Sequence, residues 1–384
     1  MKQKSHADVM PQKTPGGALL CAGPQEERAM IRKHASRAGA VLLVALGLQF
    51  AAAFVDIIVG MVMSGGAVAS ASVLLMESNV NDYVILTGIE YLVYMGVPVV
   101  IGWMMFRQRG VNVLPVAKTD GSLGVGLVLL GFGMMTAANF IGSYISLFFE
   151  QFNVSSPSVE IMQDGTPSAM WLNVLVIGIF PGLLEELLFR GVILQGLRPA
   201  GDMPALFCSA LLFGLMHGTL SQIPFAFVLG LVFGYITLKT GNILWTMGLH
   251  AANNALAVLM EYWLLGMSDE QVGKFYLLFF AAETMLGVIG IAVLMLRRHP
   301  RVPPVGDRVS SWLTKGQRRR ALFSAGTMIV FVVLTVMITV LGSLSAGTMD
   351  ALTENTEQDT TTSASAPLDN KENSAVQAFA EVFR

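Results

Sequence analysis

Long apolar runs alternate with short polar connections along most of the chain. Nine of these runs approach the roughly 20 residues that a helix needs to cross a bilayer. They cover about 38–63, 83–106, 122–149, 171–197, 203–218, 223–239, 241–265, 275–296 and 321–345. The runs at 203–218 and 223–239 are short, which fits a tilted or half-crossing helix. Lipid offers no partner to an open backbone, so such runs read as helices. The predicted class is all-α, a polytopic transmembrane helical bundle of about nine spans. A polar basic arm, 1–37, precedes it and a disordered acidic tail, 346–384, follows it. Between them lie N-terminal spans at 38–170, a central unit at 171–265 and C-terminal spans at 266–345.

Composition agrees with this pattern. Hydrophobic residues make up 54% and charged residues 13% of the 384, about half the charged share of a soluble domain. A net charge of −2 gives no reason to expect a nucleic-acid partner. The tail is rich in Thr, Ser, Asn and Ala and reads as solvated chain. The arm reads likewise, with room for helix near its basic end. The arm carries no short apolar stretch followed by small residues, so no cleaved signal peptide is expected and 38–63 acts as an uncleaved first span. Cys21 and Cys208 are far apart, without metal-type spacing, and a disulfide framework is not expected. "NVS" at 153–155 is a glycosylation sequon, relevant only in a eukaryotic secretory pathway.

Basic residues then orient the bundle. The arm carries Arg28, Arg32, Lys33 and Arg37 among its cations. The connection 64–82 has none, 107–121 has Arg107, Arg109 and Lys118, and 150–170 has none. The alternation continues to the connection 297–320, which ends in Arg318, Arg319 and Arg320. Nine crossings place the N-terminus in the cytoplasm and the C-terminus outside. The pattern fits a bacterial cytoplasmic membrane, with lipid as the surrounding partner.

Against this apolar background, "PGLLEELLFR" at 181–190 stands out. An ionisable group at membrane depth costs about 2.5–3.5 kcal/mol on insertion scales, and such groups are usually functional. Glu186 and Arg190, at i and i+4, share a helix face and can pair. Glu185 points about 100° away and is left without a partner on its own helix. A structural ion pair needs one glutamate, not two. Pro181 and Gly182, one turn upstream, are expected to kink the helix. Asp56, Glu90 and Glu283 are isolated acids on other spans. For them a part in packing or in a water-filled groove is the better reading.

The next run contains "FGLMH", with Phe213 and His217 on one face, and a later one "HAANN", with His250 and Asn254 on one face. Alone, His217 reads more readily as a packing residue, and His250 with Asn254 as interhelical hydrogen-bond glue. Depth brings them together. Counted from the helix ends, Glu185, His217 and His250 lie roughly 16, 21 and 14 Å into the membrane. Three helices with polar residues in one layer predict a hydrated cavity.

The ordered set E-E-x-x-x-R, F-x-x-x-H and H-x-x-x-N, on successive apolar runs, resembles the CPBP family. These are the CAAX-protease and bacteriocin-processing intramembrane endopeptidases, also called Abi proteins. The resemblance covers about 171–260. It implies that Glu185 is the general base that activates water, with Glu186 and Arg190 orienting it. It implies that His217 acts with the glutamate on that water, and that His250 and Asn254 stabilise the oxyanion. It leaves open whether the enzyme is a metalloprotease or glutamate-dependent. Zn2+ on His217 and His250 with a carboxylate would make a three-ligand site with one open position. No H-E-x-x-H, no G-x-S-G and no aspartate pair points to another intramembrane protease class.

The expected function is therefore hydrolysis of a peptide bond in a membrane-embedded or membrane-docked substrate. Activated water and donors aimed at the oxyanion are what that chemistry requires. The alternative is a proton- or cation-coupled transporter using the midplane carboxylates. The inverted repeats common in transporters are not found in the sequence.

Overall fold

The computed structural model describes residues 21, 23–66, 70–108, 110–152, 165–220, 222–297 and 312–361, without the side chains of 150 and 345–361. Its principal elements are helices: α1 (Pro24–Met63), α2 (Ala71–Ser78), α3 (Val80–Arg107), α4 (Gly121–Glu150), α5 (Pro167–Ala200), α6 (Asp202–Met216), α7 (Gln222–Thr240), α8 (Leu244–Leu264), α9 (Asp269–Leu296), α10 (Lys315–Phe323) and α11 (Gly326–Thr361). All nine predicted runs are helical. Among the described residues, seven helices are long and apolar enough to cross a membrane. The other two are α6, which is too short, and α8, whose polar residues include those of the third motif. The only pairing outside helices, among the described residues, is one isolated antiparallel bridge, Val116 with Asn242. The protein is a polytopic helical bundle.

Two boundaries differ from the sequence expectation. Helix α1 starts at Pro24, inside the predicted arm, with Glu26 and Glu27 in its first turn. Proline suits a first helical turn and acidic residues suit its positive end. Ile31, His34, Ala35 and Ala38 are buried on one face of this extension, while Arg28, Arg32 and Lys33 are exposed. The buried face is tied down by polar contacts. His34 Nδ1–H donates to the Gly196 carbonyl at 2.9 Å. Glu27 Oε2 accepts the backbone N–H groups of Trp312 and Leu313 at 2.8 and 3.2 Å. At the other end α11 continues to Thr361, through the first part of the predicted tail. The sequon and residues 362–384 lie outside the described residues.

Small residues allow close helix approach, as is common where helices meet in lipid. A Cβ on Gly133 would lie 2.7 Å from the Gly287 Cα, so α4 and α9 touch there backbone to backbone. Between them Thr136 Oγ1 donates to Glu283 Oε2 at 2.7 Å. Asp56 accepts the backbone N–H and the hydroxyl of Ser72 at 2.8 and 2.9 Å, capping α2 from α1. Asp56 and Glu283 thus hold helices together. Cys21 and Cys208 are free thiols, and Cys208 Sγ lies 3.7 Å from Met328 Sδ.

At one end of the bundle, Asp120 caps α4 through Ser122 N–H at 3.0 Å and pairs with Arg297 Nη2 at 2.6 Å. The hydrogen bond from Arg297 holds the Asp120 carboxyl below the usual range, helped by Ser122.

Candidate active site

Helix α5 carries the paired glutamates, and it is not a regular α-helix. Pro181 has no N–H to return to the Ile177 carbonyl four residues earlier. The turns just before it, Val174–Ile179, are wound as π-helix. After a short α-helical stretch, Phe180–Glu186, a second π-segment runs over Leu187–Ile193. Wide turns of this kind loosen the backbone ladder and are frequent at functional sites. Side chains attend to carbonyls in these segments. Ser209 Oγ donates to the Phe189 carbonyl at 2.9 Å, and Gln195 Nε2 to the Arg190 carbonyl at 3.1 Å. Asn254 Nδ2 lies 3.5 Å from the Ile177 carbonyl. The predicted kink is therefore two π-segments on either side of the glutamates.

Helix α8 lies antiparallel against α5. Glycine makes that approach possible at two levels. A Cβ on Gly182 would sit 2.5 Å from the Ala251 nitrogen, and one on Gly178 would sit 3.0 Å from the Ala255 Cα. Asn173 Nδ2 donates to Tyr262 Oη at 3.1 Å towards one end of this seam. Towards the other, one helical turn from Gly182, the seam brings Glu186 against His250.

Glu186 is fully buried. Its Oε1 lies 2.8 Å from Arg190 Nη1 and accepts His250 Nδ1–H at 3.0 Å. The predicted i, i+4 pair is formed. Arg190, itself 1% exposed, lies over the rings of Phe213 and Phe233, 4.2 and 5.1 Å from their centroids. The aromatic faces attract the cation without hydrogen bonds, and the carboxylate neutralises it.

Glu185 is 9% exposed and takes no part in that pair. Its Oε1 accepts the hydroxyl of Tyr91, on α3, at 2.8 Å. Its Oε2 has no hydrogen-bond donor among the described residues and faces His250 Nε2 at 3.8 Å. His250 thus has a carboxylate at each ring nitrogen, one in contact and one across a gap.

His217 stands differently from the sequence expectation. It caps the end of α6, half-buried, and its Nδ1–H donates to the Phe213 carbonyl at 2.9 Å. The Phe213 ring lies between the imidazoles, 4.8 Å from His217 and 6.1 Å from His250 by centroids. The ion-pair partners of the glutamates are Arg190 and His250, not His217. Asn254 is one turn beyond His250, half-buried, and accepts Asn253 Nδ2–H at 3.0 Å. So Glu185, Glu186, Arg190 and His250 form one cluster, with His217 and Asn254 at its border.

Both carboxylates are buried, and neither lines the two hollows that follow. One hollow, about 490 Å³, lies at the Val116–Asn242 bridge and is lined by no residue of the cluster. A smaller apolar one of about 190 Å³, lined by Val99, Trp103, Leu187 and Val192, flanks the second π-segment. For the expected Zn2+, a third ligand is required beside His217 and His250. Among the described residues no three His, Cys, Asp or Glu side chains are gathered as metal ligands. As placed, His217, His250 and a carboxylate do not come together as a three-ligand centre among the described residues, so the donor set does not fit one.

Tyr91 escaped the sequence reading. It lies in an apolar run without a motif, and its relation to Glu185 arises only from helix packing.

Residues 167–256 match the family model for type II CAAX prenyl endopeptidases, Rce1-like. The matched segment contains all three motifs, and it agrees with the CPBP resemblance of the sequence. No curated protein and no solved structure matches the chain.

Proposed function

We propose that the protein is a CAAX-type intramembrane endopeptidase that hydrolyses a peptide bond of a membrane-embedded or membrane-docked substrate. The observation that carries this reading is the division of labour between the adjacent glutamates. Each glutamate has one oxygen without a hydrogen-bond donor among the described residues, but Glu186 is tied through Oε1 to both Arg190 and His250, whereas the unbonded Oε2 of Glu185 faces His250 Nε2 at 3.8 Å. The family match of residues 167–256 supports the same reading.

In the proposed reaction, Glu185 Oε2 takes a proton from a water as the water oxygen bonds to the scissile carbonyl carbon. The carbonyl π-pair moves onto oxygen. His250 carries a proton on each ring nitrogen in this step, so that, with Nδ1–H on Glu186, its Nε2–H donates to that oxyanion together with the Asn254 amide, both on α8. Glu186 anchors Nδ1–H, so Nε2 is the nitrogen turned to the reaction. When the tetrahedral intermediate collapses, the C–N bond breaks and the leaving amine receives the proton from Glu185. His217 borders this space across Phe213. The alternating basic connections support a cytoplasmic membrane location with the N-terminus inside and the C-terminus outside.

The test uses full-length protein in lipid vesicles, with a prenylated C-terminal a-a-X peptide and an unlipidated transmembrane reporter. Glu185→Gln should reduce cleavage at least ~100-fold, the general-base share, with an unchanged melting temperature. Failure of the wild type to cut either reporter, or full activity in the variant, overturns the proposal. A coupled ion flux in the same vesicles would favour the transporter reading.

A further inference from the structure

We infer that Tyr91 is a positioning residue for the Glu185 carboxylate, contributed by a helix outside the segment that matches the endopeptidase family. The inference rests on the proposed function and deepens it.

Three observations carry it. The Tyr91 hydroxyl donates to Glu185 Oε1 at 2.8 Å, the one hydrogen bond on that carboxylate among the described residues. The packing of α3 on α5 is close on both sides of that bond. A Cβ on Gly88 would fall 2.8 Å from Val176 Cγ2, and one on Gly102 would fall 2.4 Å from Val192 Cγ1. Glycine at these two positions therefore lets α3 approach and sets the height of Tyr91 against Glu185. Finally, the Tyr91 ring is braced edge-on by Tyr94, at 5.1 Å between centroids.

A carboxylate has two oxygens and one soft terminal torsion. Fixing Oε1 to Tyr91 turns Oε2 towards His250 Nε2, where the reacting water has to lie. Without the phenol, nothing on α5 itself selects which oxygen faces that side. The neighbouring glutamate is fixed differently: Arg190, on its own helix, and His250 both converge on Glu186 Oε1. The motif segment supplies the acid, and α3 supplies its orientation.

Tyr91→Phe removes one oxygen and keeps the ring, its brace and the helix packing. In vesicles, kcat should fall about 10- to 100-fold with KM unchanged, the pattern of an interaction that serves the transition state. In a Glu185→Gln background the same substitution should have no further effect on the residual rate. A kcat within about twofold of wild type, or a rise in KM alone, overturns the inference. A readout free of turnover is the infrared band of the Glu185 carboxyl, identified by its loss in Glu185→Gln. That band should shift in Tyr91→Phe, and an unshifted band overturns the inference. If wild type cuts nothing, the functional reading fails while the infrared result still decides the role of Tyr91.

Discussion

Gly182→Ala is the most direct perturbation of the seam that joins the motifs. The new Cβ would lie 2.5 Å from the Ala251 nitrogen and 2.6 Å from its Cα and Cβ. Ordinary carbon contacts are about 3.5–4.0 Å, so α5 and α8 must separate locally by about 1 Å. The obstacle is backbone, which cannot rotate away as a side chain can. One turn on, Glu186 Oε1 meets His250 Nδ1 at 3.0 Å. An added ångström takes that contact out of hydrogen-bond range. Overpacking costs about 1–3 kcal/mol, and the weakened charged hydrogen bond about 1.5–3 kcal/mol more. A misplacement of this size can cost about 100-fold in rate. Gly248→Ala on α8 is the control, since nothing lies within 4 Å of a Cβ there. Thermal unfolding in detergent and reporter cleavage in vesicles are measured for both variants. Gly248→Ala should match wild type, while Gly182→Ala unfolds earlier and cuts more slowly. A Gly182→Ala protein as stable and active as the control would refute the close-approach reasoning. The unfolding result stands even if no reporter is cut.

Thr136→Val should destabilise the protein by about 1–3 kcal/mol, because buried Glu283 loses its donor; reporter kcat should not change. The Asp120–Arg297 pair gives a pH signature. Because the folded carboxyl is held low, its stabilisation is complete above the unfolded value near 4 and is lost as pH falls through the lower folded value. Wild type should therefore melt above Asp120→Asn at pH 7, and the two should converge in acid; a constant gap would contradict the pairing. Since no three ligand side chains are gathered among the described residues, cleavage is expected to survive chelation. A chelator-induced loss restored by Zn2+ would refute this expectation.

The apolar periodicity of the chain was enough to read the bundle, because in lipid a helix is the available solution for each run of sufficient length. The same logic exposed Glu185, Glu186 and Arg190, whose burial is too expensive to be incidental. It also paired Glu186 with Arg190, since i and i+4 meet on any regular helix. The α1 extension was harder to see. Its buried face is amphipathic only relative to α10 and the end of α5, which the sequence does not place. Pro181 and Gly182 signalled a distortion of α5 but not its form, since periodicity carries no mark for a wide turn.

Local composition thus decided which residues are costly in the membrane and which share a helix face. Tertiary packing decided which helices touch. The inter-helix contacts at Glu185 and at His250, and the ring of Phe213 between the two imidazoles, depend on where glycines let backbones meet. Spacing along one helix is set by covalent geometry, whereas the distance between two helices is the outcome of every contact they bury together.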